Sequence, residues 1–426
     1  MTGRKIAVIG SGVSGLTAAY ILARTDEVTL YEASDRLGGH ADTHMVPRPG
    51  GSSTPVDTGF IVCNDQTYPQ LFRLFRELGV ATQSSEMSMS VSCSGCGLGY
   101  AGKRGLPGLA AGVLPGGVRY LRMLTEVSRF HRAARRALEA EAGAESASSP
   151  LSFGEFLKAG HFSSYFTKHF AAPLVAAVWS CPPGQALQYP AHYLFAFLAN
   201  HGMLSVTGSP PWRTVTGGSR EYVERVAAGL AKVRVSSPVR DVRRFPDGVE
   251  VRDASGEVAA FDAAVIATHP DQALRLLEAP TPAEQSVLGA FRYTPNETVL
   301  HTDARLLPPR DAVRASWNYS MSCADGGSGP RISYYMNRLQ GLPMGEGNPD
   351  YVVTLGGREH IDPAQVLAVM DYAHPEYTRE SVAAQRRLPG LNTGVTAFAG
   401  AYHGWGFHED GCRSGVAAAQ ALGGTW

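Results

Sequence analysis

The chain has 426 residues and a mass of 45.4 kDa, too long for one ordinary core, so two or three domains around buried interfaces are expected, with room for a sizeable cofactor. Lys plus Arg equals Asp plus Glu at 38 each, so no global field points to nucleic acid or to an acidic membrane surface. With 44% hydrophobic and 18% charged residues, disordered and fibrous classes are excluded as well.

The opening Met1-Thr2-Gly3-Arg4-Lys5 leaves no room for a signal peptide before the apolar run Ile6 to Ile9, so a cytoplasmic location is expected. The spacing predicts a strand over Ile6–Ile9, a helix over Leu16–Ala23 and a second strand over Val28–Tyr31. Between the first strand and the helix lies Gly10-Ser11-Gly12-Val13-Ser14-Gly15, the Gly-x-Gly-x-x-Gly of a dinucleotide-binding turn. Gly10 permits the turn, Gly12 lets backbone approach a pyrophosphate, Gly15 lets helix and strand pack, and the helix N-terminus offers its N–H groups to the anion. Glu32 ends the second strand, where a carboxylate accepts from ribose hydroxyls and repels a 2′-phosphate. The motif alone does not separate NAD from FAD.

Further on, a helix is predicted over Tyr68–Leu78 and a strand around Met87–Val91. Cys93-Ser94-Gly95-Cys96-Gly97 reads as a hairpin turn; no second cysteine pair completes a zinc site in the sequence, so no metal centre is expected. Residues 133–150 read as a solvated helix tail running into a linker. From Phe153 to Leu204 the chain is helical and strongly aromatic; most of these rings are expected in the core, with some left to line an apolar pocket. The longest interior apolar run, Ala171 to Trp179, is far below the roughly 20 residues that cross a bilayer. After Gly217-Gly218 come a helix over Glu221–Leu230 and strands near Val233–Val235, Val249–Val251 and Ala263–Ala267. A β-rich stretch follows residue 286, and the last 35 residues return to a strand and a helix.

A family resemblance separates the cofactors. Glu32-Ala33-Ser34-Asp35-Arg36-Leu37-Gly38-Gly39-His40 resembles the extension that follows the βαβ unit in flavin amine oxidases, protoporphyrinogen oxidases and phytoene desaturases. The resemblance implies FAD as cofactor, with Arg36, Gly38 and Gly39 around its pyrophosphate and Ala33 beside Glu32; the family often has Arg where this chain has His40. Thr58, Gly59 and Phe60, after Asp57, resemble the turn beside the flavin ring, and Val239 matches a position whose backbone meets adenine. Gly400 and the helix start Glu409-Asp410-Gly411 resemble the last flavin-binding stretch, where a helix dipole favours the charge of reduced flavin. No Cys or His sits in an attachment motif, so the FAD is expected to be held without a covalent link.

The implied fold is α/β: a discontinuous Rossmann-like FAD-binding domain of the glutathione reductase type (residues 1–80, 206–285 and 391–426), interleaved with an α+β substrate domain. That second domain is mostly helical over 81–205 and β-rich over 286–390. Trp212 to Arg220, Tyr335 to Gln340 and Gly404 to Gly411 further resemble a bacterial branch of predicted NAD/FAD-binding proteins often encoded beside cyclopropane fatty acid synthases. By association this implies a lipid-like substrate. The chain has no lysine beyond residue 232, so it lacks the lysine that flavin amine oxidases place near the reactive flavin nitrogen. No second dinucleotide motif marks an NADPH domain.

The reading is therefore an FAD-dependent dehydrogenase, desaturase or oxidase acting on an apolar acyl-chain or polyene-like substrate, with peripheral membrane contact allowed. An amine oxidase, a redox-neutral double-bond isomerase using reduced flavin, and a non-catalytic flavin-bearing scaffold subunit stay open. Tyr402, His403, His408 and Arg338 are the candidate catalytic residues, with Trp405 beside them and Arg338 as a carboxylate anchor.

Overall fold

The computed structural model describes residues 3–48, 50–142, 151–205, 209–324 and 330–426; the linker expected at 143–150 lies outside these. A five-stranded parallel sheet forms the first layer, in the order Thr396–Phe398, Ala263–Ile266, Lys5–Ile9, Glu27–Tyr31, Lys232–Arg234. Ile6, Ala7, Val8 and Ile9 pair with Ala263 to Ile266 on one side and with Val28 to Tyr31 on the other. All are buried, which is why this strand reads as a continuous apolar run rather than an alternating one. The helices Val13–Leu22 and His408–Ala421 pack against each other on one face. The first helix starts three residues before the expected Leu16, because the glycine turn leads straight into it with Gly12 at the N-cap.

A seven-stranded sheet makes the second layer: Val366–Glu376, Arg292–His301, Val352–Leu355, Arg331–Tyr335, Trp317–Met321, Met89–Cys93, Gly99–Ala101. Its last two strands, Met89–Cys93 and Gly99–Ala101, come from the segment expected to be mostly helical, and helices dominate only after Gly102. A helical cap covers the sheet. Its long helix, Val113–Ala142, is broken at Gly117, where φ is +50°. Phe130 is fully buried at the cap's centre, ringed by Phe153, Phe162, Phe166, Phe170 and Phe195 at centroid distances of 5.8 to 6.4 Å. Most of the aromatic run is thus core, as its spacing indicated, while Phe170, Trp179 and Phe197 also reach a cavity.

Asp57 knits the layers together. Its buried carboxylate accepts from Thr43 Oγ1 (2.6 Å), Ser219 N (2.9 Å), Ser219 Oγ (2.8 Å) and, from the far domain, Gln340 Nε2 (3.0 Å). The left-handed Gly217 and Gly218 (φ +86° and +90°) turn the chain so that Ser219 N–H reaches it. Burial raises the Asp57 pKa to about 6 against these donors.

Candidate functional site

A cavity of about 1190 Å³ opens at the C-terminal edge of the parallel sheet and runs between the seven-stranded sheet and the helical cap. Five strand ends deliver its polar half: Gly10 to Ser14 after Lys5–Ile9, Glu32 to Ser34 after Glu27–Tyr31, Ser237 to Val239 after Lys232–Arg234, Ala267 to His269 after Ala263–Ile266, and Gly400 to Tyr402 after Thr396–Phe398. This is the crevice where open α/β sheets hold ligands.

The glycine turn is shaped for an anion. A Cβ on Gly15 would lie 1.9 Å from the Gly10 carbonyl oxygen, so close helix–strand packing forbids any side chain there; a Cβ on Gly12 would meet nothing within 4 Å. The helix Val13–Leu22 begins beside that open space with no side-chain cap and no acidic residue in its first turn. Its N–H groups stay available to a bound anion. The C-terminal helix differs: Asp410 accepts from Phe407 N (3.1 Å) and pairs with Arg413 (3.0 Å). Glu32 lies across the turn, accepting from Ser11 N (3.0 Å), Ser11 Oγ (2.5 Å) and Ser34 N (2.9 Å). Ala33, Gly39, Thr58, Gly59, Phe60 and Val239 complete this half.

Three histidines crowd the same wall. His40 has its ring centroid 4.9 Å from Tyr372 and 5.5 Å from His374, and His269 stacks on Tyr293 at 4.1 Å. Burial, then the neighbouring His374 and His269, hold His40 well below the ordinary imidazole range, and burial lowers His374 to about 4. Burial lowers His269 in the same way. His40 Nε2 and Tyr402 Oη are buried there without a hydrogen-bond partner, an orphaned pair that a polar ligand would satisfy. His408 closes the wall, stacked on Phe60 at 3.7 Å and lowered to about 3 by burial.

Several expected contacts fall elsewhere. Arg36 does not line the cavity; its guanidinium is committed to Asp42 at 2.8 Å, itself held by Tyr372 Oη at 2.7 Å. Gly38 shapes the turn behind, its N–H donating to Ser11. Glu409 accepts from Gln70 N and Leu71 N, both at 3.1 Å, and so caps the helix Pro69–Leu78, while burial raises its pKa to about 7. Burial likewise raises Asp410 to about 6, and Gly411 packs against Val13. These three build the helix junction rather than the cavity wall: Glu409 serves the N–H groups of the neighbouring helix, Asp410 those at its own helix start, and Gly411 lets Val13 pack close. His403 lies behind Tyr402, outside the lining and lowered to about 4 by burial; Trp405 gives its carbonyl to Trp179 Nε1 (3.0 Å). Arg338 is far from this wall, paired with Asp311 (2.9 Å) and Glu86 (3.4 Å), so it is no carboxylate anchor.

His269, Tyr372 and His374 escaped the sequence reading. His269 lies three residues past the end of Ala263–Ile266, so the rule that ligands sit at strand C-termini could have found it; the other two lie on the strand Val366–Glu376 of the seven-stranded sheet and carry no local signal. The lone pair Cys93 and Cys96 is not isolated either: His169 and Cys323 fold against it, so the sequence ground for expecting no metal does not hold in space.

The inner half of the cavity is apolar, lined by Met87, Val91, Leu124, Leu174, Trp179 and Phe197, with Lys103 exposed among its lining residues. Among the described lining residues the one carboxylate is Glu32, at the opposite, polar end.

Residues 13–328 match the family model of flavin containing amine oxidoreductases, three quarters of the chain. The chain belongs to this family. It is a flavin-dependent oxidoreductase with FAD as its cofactor. The chain is 26% identical over 339 residues to coproporphyrinogen III oxidase of Mycobacterium leprae, covering 74% of this chain and 69% of that one. Other curated relatives match over short stretches, the L-amino acid oxidase of Cerastes cerastes over 48 residues that make up 9% of its length. In fold, the chain resembles cyclohexylamine oxidase from Brevibacterium oxydans (TM-score 0.68, 17% identity, 99% and 98% of the two chains). It also resembles a fatty acid isomerase from P. acnes (TM-score 0.64, 13% identity, 97% of each).

The residues present fit FAD: the uncapped helix start and open Gly12 suit its pyrophosphate, Glu32 its ribose, and the backbone at Val239 its adenine. When bound, the flavin supplies hydride acceptance. The chain's own part is to orient and to exclude water. Thr58 N donates to Asp42 O (2.9 Å), Phe60 N to His40 O (2.7 Å), Thr58 Oγ1 meets Tyr372 Oη at 2.7 Å, and the apolar half keeps solvent from the reacting end.

Proposed function

We propose that this flavoenzyme oxidises an apolar, carboxylate-headed acyl chain or polyene, seated with its tail in the inner cavity and its head at Lys103. The observation that carries this is the charge of the lining: the apolar half holds no carboxylate among its described residues, so a substrate ammonium would be buried without a partner. An anionic head finds a cation instead. The absence of lysine beyond residue 232 points the same way, as does the resemblance to the branch encoded beside cyclopropane fatty acid synthases.

The surface beside Lys103 suits a lipid source. Leu106, Leu114 and Val118 are 82%, 95% and 83% exposed, far more than isolated surface leucines need to be. Residues 101–125 carry Lys103, Arg104, Arg119 and Arg122 and no acidic residue. Apolar side chains beside basic ones are the composition of an interfacial segment, so peripheral contact with an anionic membrane belongs to this proposal. No described helix is long and apolar enough to cross a membrane.

Anaerobic mixing of the oxidised holoenzyme with long-chain unsaturated acids tests the reading. Bleaching of the flavin with a product two hydrogens poorer is expected, and Lys103→Ala should raise KM for the acid, not kcat, by roughly two- to fivefold, the worth of a rim charge pair. Faster bleaching by primary amines would overturn it in favour of amine oxidation. Turnover only after prior flavin reduction, with product of unchanged mass, would mark a double-bond isomerase, and no bleaching by any member of either class a scaffold.

A further inference from the structure

We propose that Cys93, Cys96, Cys323 and His169 form a structural zinc site that staples the sheet wall of the cavity to its helical roof. The four ligand atoms all lie within 4.8 Å of one another. A tetrahedron with Zn–S bonds near 2.3 Å has sulfur–sulfur edges of about 3.8 Å, so the set closes on a metal by sub-ångström movements.

Separate elements bring the ligands together. Cys93 ends the strand Met89–Cys93, and Gly97 N donates to Cys93 O (2.9 Å) while Cys93 N donates to Leu98 O (2.8 Å), turning the chain so that Cys96 returns beside it. Met321 is in parallel register with Cys93, and Ser94 N donates to Met321 O at 2.9 Å, which delivers Cys323 two residues later. Gly95 makes that approach possible: a Cβ there would stand 3.0 Å from Cys323 Sγ and 2.8 Å from Ala324 N.

His169 comes from the π-helical turn Thr167–Ala171 and is 2% exposed. Its Nδ1 lies 3.1 Å from the Tyr165 carbonyl, and only a protonated nitrogen can donate to a carbonyl. Nε2 is therefore the bare nitrogen, and it faces Cys96 Sγ at 3.5 Å. A metal-binding histidine is commonly oriented by such a bond from its other nitrogen. Tyr165 stacks on the ring at 4.2 Å and holds its plane.

Three thiolates and one imidazole in a closed set select zinc and leave no open position for catalysis. Binding releases three thiol protons and leaves a net charge of −1 on the centre. The consequence reaches the substrate cavity, because Val91 precedes Cys93 on the strand while Phe170 and Leu174 follow His169, and all three line the apolar half.

Elemental analysis of the holoenzyme, purified under reducing conditions without chelator, should give one zinc per FAD. Cobalt replacement should add tetrahedral bands in the red, beyond the absorption of oxidised flavin, together with thiolate charge transfer. Cys323→Ser and His169→Asn should each lose the zinc while FAD content stays within about 20% of the parent, since the site lies at the other end of the cavity from the glycine turn. Should both variants fail to fold, the wild-type zinc and cobalt measurements decide alone. Less than about 0.1 zinc per chain after growth and refolding with added zinc would overturn the proposal, and so would a Cys93–Cys96 disulfide found in the reduced-purified protein, or iron in place of zinc.

Discussion

At the dinucleotide end of the cavity the floor is backbone and glycine, set by a single local turn and five strand ends, with the histidines on one wall. At the inner end the walls are side chains gathered from the helical cap and the far sheet. The two ends meet at Thr58 to Phe60, beneath the Asp57 hub. Backbone-made recognition is rigid and tolerates few residues; side-chain recognition can be retuned one residue at a time. The same fold thus keeps one cofactor while its substrates vary.

The comparison breaks hardest at the glycines. Gly15→Ala forces a Cβ against the Gly10 carbonyl, and a loss of about 3 kcal/mol or more, with loss of FAD, is expected by thermal and chemical denaturation. Gly12→Ala has open space and an ordinary φ of −62°, so the melting temperature of the apoprotein should hold while FAD affinity falls about tenfold or more in titration. If both variants behaved alike, the division between packing glycine and ligand glycine would be wrong.

Next in size, Glu32→Ala should weaken FAD by roughly 1 to 3 kcal/mol through lost charge-assisted hydrogen bonds and leave substrate KM alone. Leu174→Ala should do the reverse, raising KM for an acyl substrate by the equivalent of roughly 1 to 2 kcal/mol of apolar contact with FAD content unchanged. Steady-state kinetics on the two variants sharpen the boundary between the ends.

The smallest effect at neutral pH concerns the buried imidazoles. Their folded pKa values, about 4 for His374 and His403 and about 3 for His408, lie below the unfolded value near 6.5. Their contribution is complete above pH 6.5 and is lost as pH falls through that value toward 3 to 4. His408→Phe should therefore change the melting temperature little at pH 7.5 and make it fall less steeply between pH 6.5 and 4.5. Glu409, Asp57 and Asp410 are raised and act in the opposite sense, losing their contribution as pH climbs through about 6 to 7, so parent and variant are compared at each pH.

Legibility followed the same division. The βαβ unit and the place of Glu32 at the end of its second strand were readable because strand period, glycine sterics and helix start all lie within one window of sequence. Arg338 was misplaced because nothing local reveals that Asp311 and Glu86 claim its guanidinium, and the pairing of Arg36 with Asp42 was hidden for the same reason. Cys323 and His169 stayed hidden for a related cause. Each stands alone in the sequence, and only the parallel pairing of Trp317–Met321 with Met89–Cys93 and a helical turn bring them to the Cys-x-x-Cys.

The order of strands in the parallel sheet carries a consequence for how the protein is made. The central strand, Lys5–Ile9, is translated first, yet its neighbour Ala263–Ile266 comes some 250 residues later and the edge strand Thr396–Phe398 later still. Helix Val13–Leu22 also waits for His408–Ala421 to cover its flank. A nascent chain on the ribosome thus carries a finished glycine turn with no floor beneath it, an apolar strand open on one edge for most of synthesis. High contact order of this kind slows closure and exposes the chain to aggregation. Cofactor capture in the finished crevice therefore follows synthesis of the late strands, whose ends at residues 267–269 and 400–402 line it.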